Sequence, residues 1–170
     1  MASKISSELK AKSDAATRKL TRQLQGMEAY MERSDAPGQW TTREVLSHLL
    51  SEPGRDPVAV MKTFSERNFP TVEIVPGKVS VTEDRRKMTL KQFVDAFERQ
   101  RQSILAYLDG LSDVELTQRK ARVPLFKKPL GSDETPLQVY AGALLEFHFN
   151  QHADQFAKIR KTVGLPEVTV

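Results

Sequence analysis

The stretch 135–166, TPLQVYAGALLEFHFNQHADQFAKIRKTVGLP, narrows the fold more than any other part of the chain. Leu137, Ala141, Leu144, His148, His152, Gln155 and Ile159 recur there in steps of three and four, the repeat of one face of an α-helix. A helix of that length with one apolar stripe is stable only when the stripe is covered by other helices. Thr135 reads as the N-cap, Pro136 as the first helical residue and Gln138 as the closing member of a capping box. GLP stops the helix near Val163. Two of the chain's three histidines, His148 and His152, fall on the inward face.

Three further stretches have the same character. Ile5, Leu9, Ala16, Leu20, Leu24, Met27 and Met31 mark a helix over residues 5–33, which Pro37 and Gly38 end. TTRE, residues 41–44, is a capping box opening a second helix, with Val45, Leu46, His48 and Leu49 on its apolar side. In SEPGRDP, Pro53 breaks it near Glu52, and a helical piece resumes at Pro57. TLKQ, residues 89–92, opens a third helix with Leu90, Phe93, Phe97, Ile104 and Leu108 inward, and Gly110 closes it. Its stripe is interrupted by Gln100 and Arg101. The expectation is an all-α, four-helix bundle with long connections, a single domain over residues 1–170.

The connections are less regular. Val72 and Ile74, then Val79 and Val81, alternate about a PGK turn, which gives a small hairpin between helices two and three or an extended loop with two anchors. Between helices three and four, one helical turn is expected at residues 113–116. RKARVPLFKKP, residues 119–129, then reads as a solvated loop with Val123, Leu125 and Phe126 tucked against the bundle.

With 26 basic and 22 acidic residues interspersed, the surface is mixed in charge and no nucleic-acid partner is expected. The start, MASKISSELKAKSD, lacks the apolar core of a signal peptide, and no run is long enough to span a bilayer. A cytoplasmic protein with no membrane partner is therefore expected. The chain has no cysteine, which excludes disulfides, thiolate metal sites and a cysteine nucleophile.

Histidines four apart on a helix stand side by side and can share one ion. His48, on the apolar side of helix two, can supply a third ligand across the bundle. Three neutral imidazoles leave positions open for water or substrate, the plan of a catalytic metal site. Burying three imidazoles without partners is costly, and a metal removes that cost. Around them, Glu44 either completes the cap or orients His48. Gln155 pairs with a ligating ring, a substrate or helix one. Arg101 either receives an anionic substrate or snorkels to the bundle edge. Trp40 leads into helix two or lines the pocket. No side chain is singled out as a catalytic acid or base.

GQWTTREVLSHLL resembles the Trp-x-x-x-Glu-(Val/Ile)-Leu-x-His-Leu segment of the DinB superfamily, the YfiT-like metalloenzymes. HFNQHADQFAKIRK is similar to that family's His-x-x-x-His-x-x-Gln-(hydrophobic)-x-x-(Ile/Leu)-Arg signature. The resemblance implies a four-helix bundle with a divalent metal, zinc or nickel, on His48, His148 and His152. It implies an enzyme that transfers a low-molecular-weight thiol to a small electrophilic substrate or hydrolyses one, and a homodimer. The alternative it leaves is a non-catalytic metal- or ligand-binding stress-response protein. SEPGRDP departs from the family pattern, in which the helix continues.

Overall fold

The structure, a computed structural model, describes residues 3–168. It is mostly helical with one small two-stranded sheet. Helix α1 (Lys4–Leu24) is capped by Ser3, whose side chain accepts from the Ser6 amide. It buries Leu9, Ala16, Leu20 and Leu24. It stops well before residue 33, contrary to the periodicity, because Gly26 takes a left-handed φ of 75°. Met27 and Met31 remain in the core around a single 3-10 turn, Glu28–Tyr30. Their burial follows the sequence pattern while their helix does not.

Helix α2 (Thr42–Leu49) opens on the Thr41–Glu44 capping box. The chain turns through Pro53 and Gly54 and re-enters a helix at α3 (Pro57–Lys62), with Asp56 as cap and Pro57 in the first turn. No hairpin follows. Instead, Ser65 and Thr71 bridge to Lys120 and Arg122, far along the chain, and Val72 is buried. Residues 73–82 run as an extended connection into a short helix, α4 (Glu83–Lys87). Helix α5 (Leu90–Asp109) has the Thr89–Gln92 box and Gly110 at its C-cap. The turn expected near 113–116 is α6 (Asp113–Gln118), opened by a third box, Ser112–Glu115.

Strand β1 (Lys120–Arg122) pairs antiparallel with β2 (Glu134–Pro136), Ala121 opposite Thr135. This corrects the capping box read at residues 135–138, since no side chain caps the helix that follows and Pro136 stands at its N-cap. Thr135 is a strand residue rather than an N-cap, and its hydroxyl donates to the Asp133 carbonyl. The start of α8 (Leu137–Gly142) is satisfied by backbone instead, the Leu137 amide donating to the Arg119 carbonyl at 2.8 Å. The loop between the strands carries a 3-10 turn and the short α7 (Lys127–Leu130). Val123 is buried and Phe126 packs near Tyr140, whereas Leu125 is exposed.

A π-helical turn, Ala143–Phe147, joins α8 to α9 (His148–Thr162). It re-phases the stripe, so that Leu145 is buried, Leu144 half-buried and Phe147 in solvent. Helix α1 lies along α9, and α2 packs against both α9 and α5. Two apolar clusters result. One centres on Leu20, Leu46, Phe93, Phe97 and Phe156. The other centres on Met61, Leu108, Leu116, Leu137 and Tyr140. Each buried aromatic or leucine contributes about 1.5–3 kcal/mol. No helix among the described residues is long and apolar enough to cross a membrane.

Candidate metal centre

His48, His148 and His152 come together although a hundred residues separate the first from the pair. Helix α2 brings His48 to the N-terminal end of α9, which begins at His148 directly after the π turn. The ring centroids stand 4.8 Å (His48–His148), 5.1 Å (His48–His152) and 4.7 Å (His148–His152) apart. The rings meet edge to face, at 84°, 73° and 75°. One nitrogen from each lies within 4.8 Å of the others, a grouping that can hold a metal ion.

The outer faces of two rings are held by oxygens. His48 Nδ1 donates to the Lys78 carbonyl at 2.8 Å. His152 Nδ1 donates to Gln155 Oε1 at 2.8 Å. A proton on Nδ1 leaves Nε2 as a bare lone pair, the form in which imidazole binds a metal, and this outer partner is a regular feature of such sites. Burial pushes His148 down to about 3, with the charges of His152 and His48 adding to the effect. Burial also takes His152 down to about 4, against the opposing pull of Gln155. Both rings are neutral at physiological pH and keep their acceptor nitrogens.

The Lys78 carbonyl is placed by a clamp. Arg85 on α4 donates to the Ser80 carbonyl at 3.0 Å and to the Ser47 carbonyl at 2.9 Å, and also to the carbonyl of Ser51. It thereby ties the 78–80 segment to the C-terminal end of α2, where a cation is favoured. Lys78 itself pairs with Glu52 at 3.0 Å. Gln100 caps the same helix end, accepting from the Ser51 amide at 2.9 Å and donating to the Leu49 carbonyl at 3.3 Å.

The other residues picked out from the sequence divide clearly. Gln155 touches the His152 ring. Glu44 gives its carboxylate to the cap, accepting from the Thr41 amide at 2.7 Å, and makes no hydrogen bond to His48. Arg101 is buried, but neither reading of it describes its charged end. Its guanidinium meets Glu98 through two 2.8 Å bonds and Asp14 at 2.7 Å. Its charge is thus committed before any substrate arrives. Trp40 walls the site, 4.8 Å from His48 and stacked on His152 at 6.3 Å and 18°. The sequence reading missed the Lys78 carbonyl and Arg85. A backbone carbonyl leaves no trace in side-chain pattern, and an arginine in EDRRK looks like any surface charge.

His48 and His148 border a cavity of about 150 Å³ with mainly apolar walls. Ser47 lines it too, and its hydroxyl finds no hydrogen-bond partner among the described residues. Such an arrangement can hold a divalent ion on three nitrogens beside a space for a small molecule. Compared with protein-family models, curated proteins and solved structures, the chain finds no match in any of the three.

Proposed function

We propose that this chain is a metal-dependent enzyme of the DinB type, in which α1, α2, α5 and the α8–α9 helix make a four-helix bundle around one divalent ion, zinc or nickel. The observation that carries the reading is the three-histidine cluster with Nδ1 of His48 and His152 already bonded to oxygen. Those bonds orient both rings and set their tautomers before anything binds. The donor set suits zinc or nickel, since all three ligands are imidazoles and no carboxylate or thiolate among the described residues joins them. A divalent ion held there supplies Lewis acidity, lowering the pKa of a water or thiol beside it.

The chain's own residues do the rest. Gln155 and the Lys78 carbonyl hold the imidazoles. Trp40 shields one side from water. The apolar cavity beside His48 and His148 receives a small electrophile and keeps bulk solvent from it. The reaction supported is transfer of a low-molecular-weight thiol to that electrophile, or its hydrolysis.

Metal analysis of purified protein, before and after reconstitution with zinc or nickel, is the direct test. One ion per chain is expected. None in the variant lacking all three imidazoles (His48→Ala, His148→Ala and His152→Ala together) completes the expectation. Wild-type protein that takes up no stoichiometric metal defeats the reading. A panel of thiols and electrophiles then tests turnover, and binding without turnover favours a sequestering role.

A further inference from the structure

SEPGRDP, residues 51–57, forms part of the cavity wall through Ser51, Glu52, Arg55 and Pro57. Pro53 and Gly54 form a tight turn in which Gly54 takes φ 82°, and the Arg55 amide closes it on the Glu52 carbonyl at 2.9 Å. Pro at the second and Gly at the third position suit a type II turn. The turn sets Arg55 on the wall of the cavity that also touches His48 and His148. A helix continuing past Leu50 would carry this side chain elsewhere.

Arg55 differs from the other charges around that cavity. Arg101 is neutralised by Glu98 and Asp14, and Lys78 by Glu52. Arg55 donates to the Glu73 carbonyl at 2.9 Å, and among the described residues it has no carboxylate within ion-pairing distance. Its charge acts on Tyr140, another lining residue, whose hydroxyl makes no hydrogen bond among the described residues. Burial raises the Tyr140 pKa, so the hydroxyl keeps its proton and can donate. The lining is otherwise mainly apolar, with Val60, Ile74, Ile104, Leu144 and Leu145. The volume of about 150 Å³ matches a cavity that takes one benzene ring.

Building on the metal-enzyme reading above, we propose that the substrate is a compact carboxylate with an apolar body about the size of one benzene ring. Arg55 selects it by binding its carboxylate, and Tyr140 donates the accompanying hydrogen bond. A guanidinium offers paired donors in the geometry a carboxylate accepts. The apolar body fills the cavity, and the group that reacts is the end remote from the carboxylate, toward His48 and His148.

The probe pair is benzoate and its neutral counterpart benzamide, titrated calorimetrically into zinc-reconstituted and chelator-treated full-length protein. Metal content is measured on the same samples. Wild type is expected to bind benzoate at least about tenfold more tightly than benzamide, with or without zinc. Arg55→Met should weaken benzoate roughly ten- to hundredfold and change benzamide by less than about twofold. Arg55→Lys should recover part of the loss, and Tyr140→Phe should cost benzoate a smaller factor. Equal affinity for the two probes, or no binding of either, overturns the proposal. So does benzoate binding that disappears with the metal and ignores Arg55→Met, since the carboxylate then sits on the ion. If Arg55→Met does not fold, the wild-type discrimination and Arg55→Lys decide. Charge selection without any metal uptake keeps the carboxylate subsite and removes the metal reading. Metal uptake without charge selection does the reverse.

Discussion

Between α1 and α5, Arg101 gives its guanidinium to Glu98, Asp14 and the Ser13 hydroxyl. Between α2 and α9, His48 and His152 each give one ring nitrogen to an oxygen and keep the other. The first cluster closes on itself. It ties two helices together and commits all but one of the guanidinium N–H groups. The second is finished on its outer side and open on its inner side, where the other ring nitrogens converge. Buried polar groups are ordinarily paired. A cluster that satisfies its supports and leaves its centre free is therefore the better candidate for chemistry, and the more strongly charged cluster is the structural one.

The largest effect that would sharpen this contrast is on metal content. His148→Ala should take the protein from one ion per chain to none, read by elemental analysis after reconstitution. It should change metal-free stability by less than about 1 kcal/mol, because lost contacts are offset by removal of a polar ring from an apolar setting. Full metal occupancy in His148→Ala would break the contrast at once.

Arg101→Met probes the other side. Removing one partner of a buried ion pair costs 3–5 kcal/mol in closed sites. Asp14 and Glu98 keep 27% and 39% of their side-chain surface in water, which places the loss near the lower end, about 3 kcal/mol. Denaturant melts should show it, with metal stoichiometry unchanged. Loss of metal in a folded Arg101→Met protein would mean that the two clusters are not independent.

Acid should separate them as well. His148 and His152 titrate in the folded protein near 3 and 4, below the ordinary 6.5. As pH falls below about 6.5 the unfolded chain takes up protons that the folded, metal-free chain refuses, so stability falls through that window. The hydrogen bond from Arg101 holds Glu98 below its usual value, and that from Lys10, with Arg101 assisting, does the same for Asp14. Their contribution is full above about 4.5 and is lost only at lower pH as the folded carboxylates protonate. Thermal melts of chelator-treated protein should therefore decline in two stages. His148→Ala should flatten the upper stage and Arg101→Met the lower. A wild-type profile level between pH 6.5 and 5 would contradict the buried-neutral state of the histidines.

The sequence revealed the local chemistry and missed what distant partners decide. Thr41 with Glu44, Thr89 with Gln92, and Pro57 define helix starts within four residues, and the chain obeys them. Thr135 obeys the same local rule and fails, because β1 takes it into a ladder with Ala121, fourteen residues upstream. The hairpin fails for the same reason, since the 65–72 segment finds its partners at Lys120 and Arg122. The histidines were legible because helical spacing alone put them inward. The oxygens that orient them were half legible: Gln155 shares their helix face, whereas the Lys78 carbonyl depends on an irregular loop held by Arg85.

That difference gives the smallest and most discriminating effect. Gln155→Leu keeps the size and helix propensity of the side chain and removes only the acceptor for His152 Nδ1–H. Loss of such an outer partner typically weakens metal affinity ten- to hundredfold, about 1.4–2.8 kcal/mol. The melt should move much less, because Gln155 is half-buried and its amide contributes a single hydrogen bond. Competition titrations with a chromophoric chelator measure the affinity directly. Gln155→Glu should restore it, since a carboxylate accepts the same proton and raises the basicity of the ring. If Gln155→Leu binds metal as tightly as wild type, the Gln155 bond is only packing, and the orientation of His152 comes from Trp40 and the helix alone.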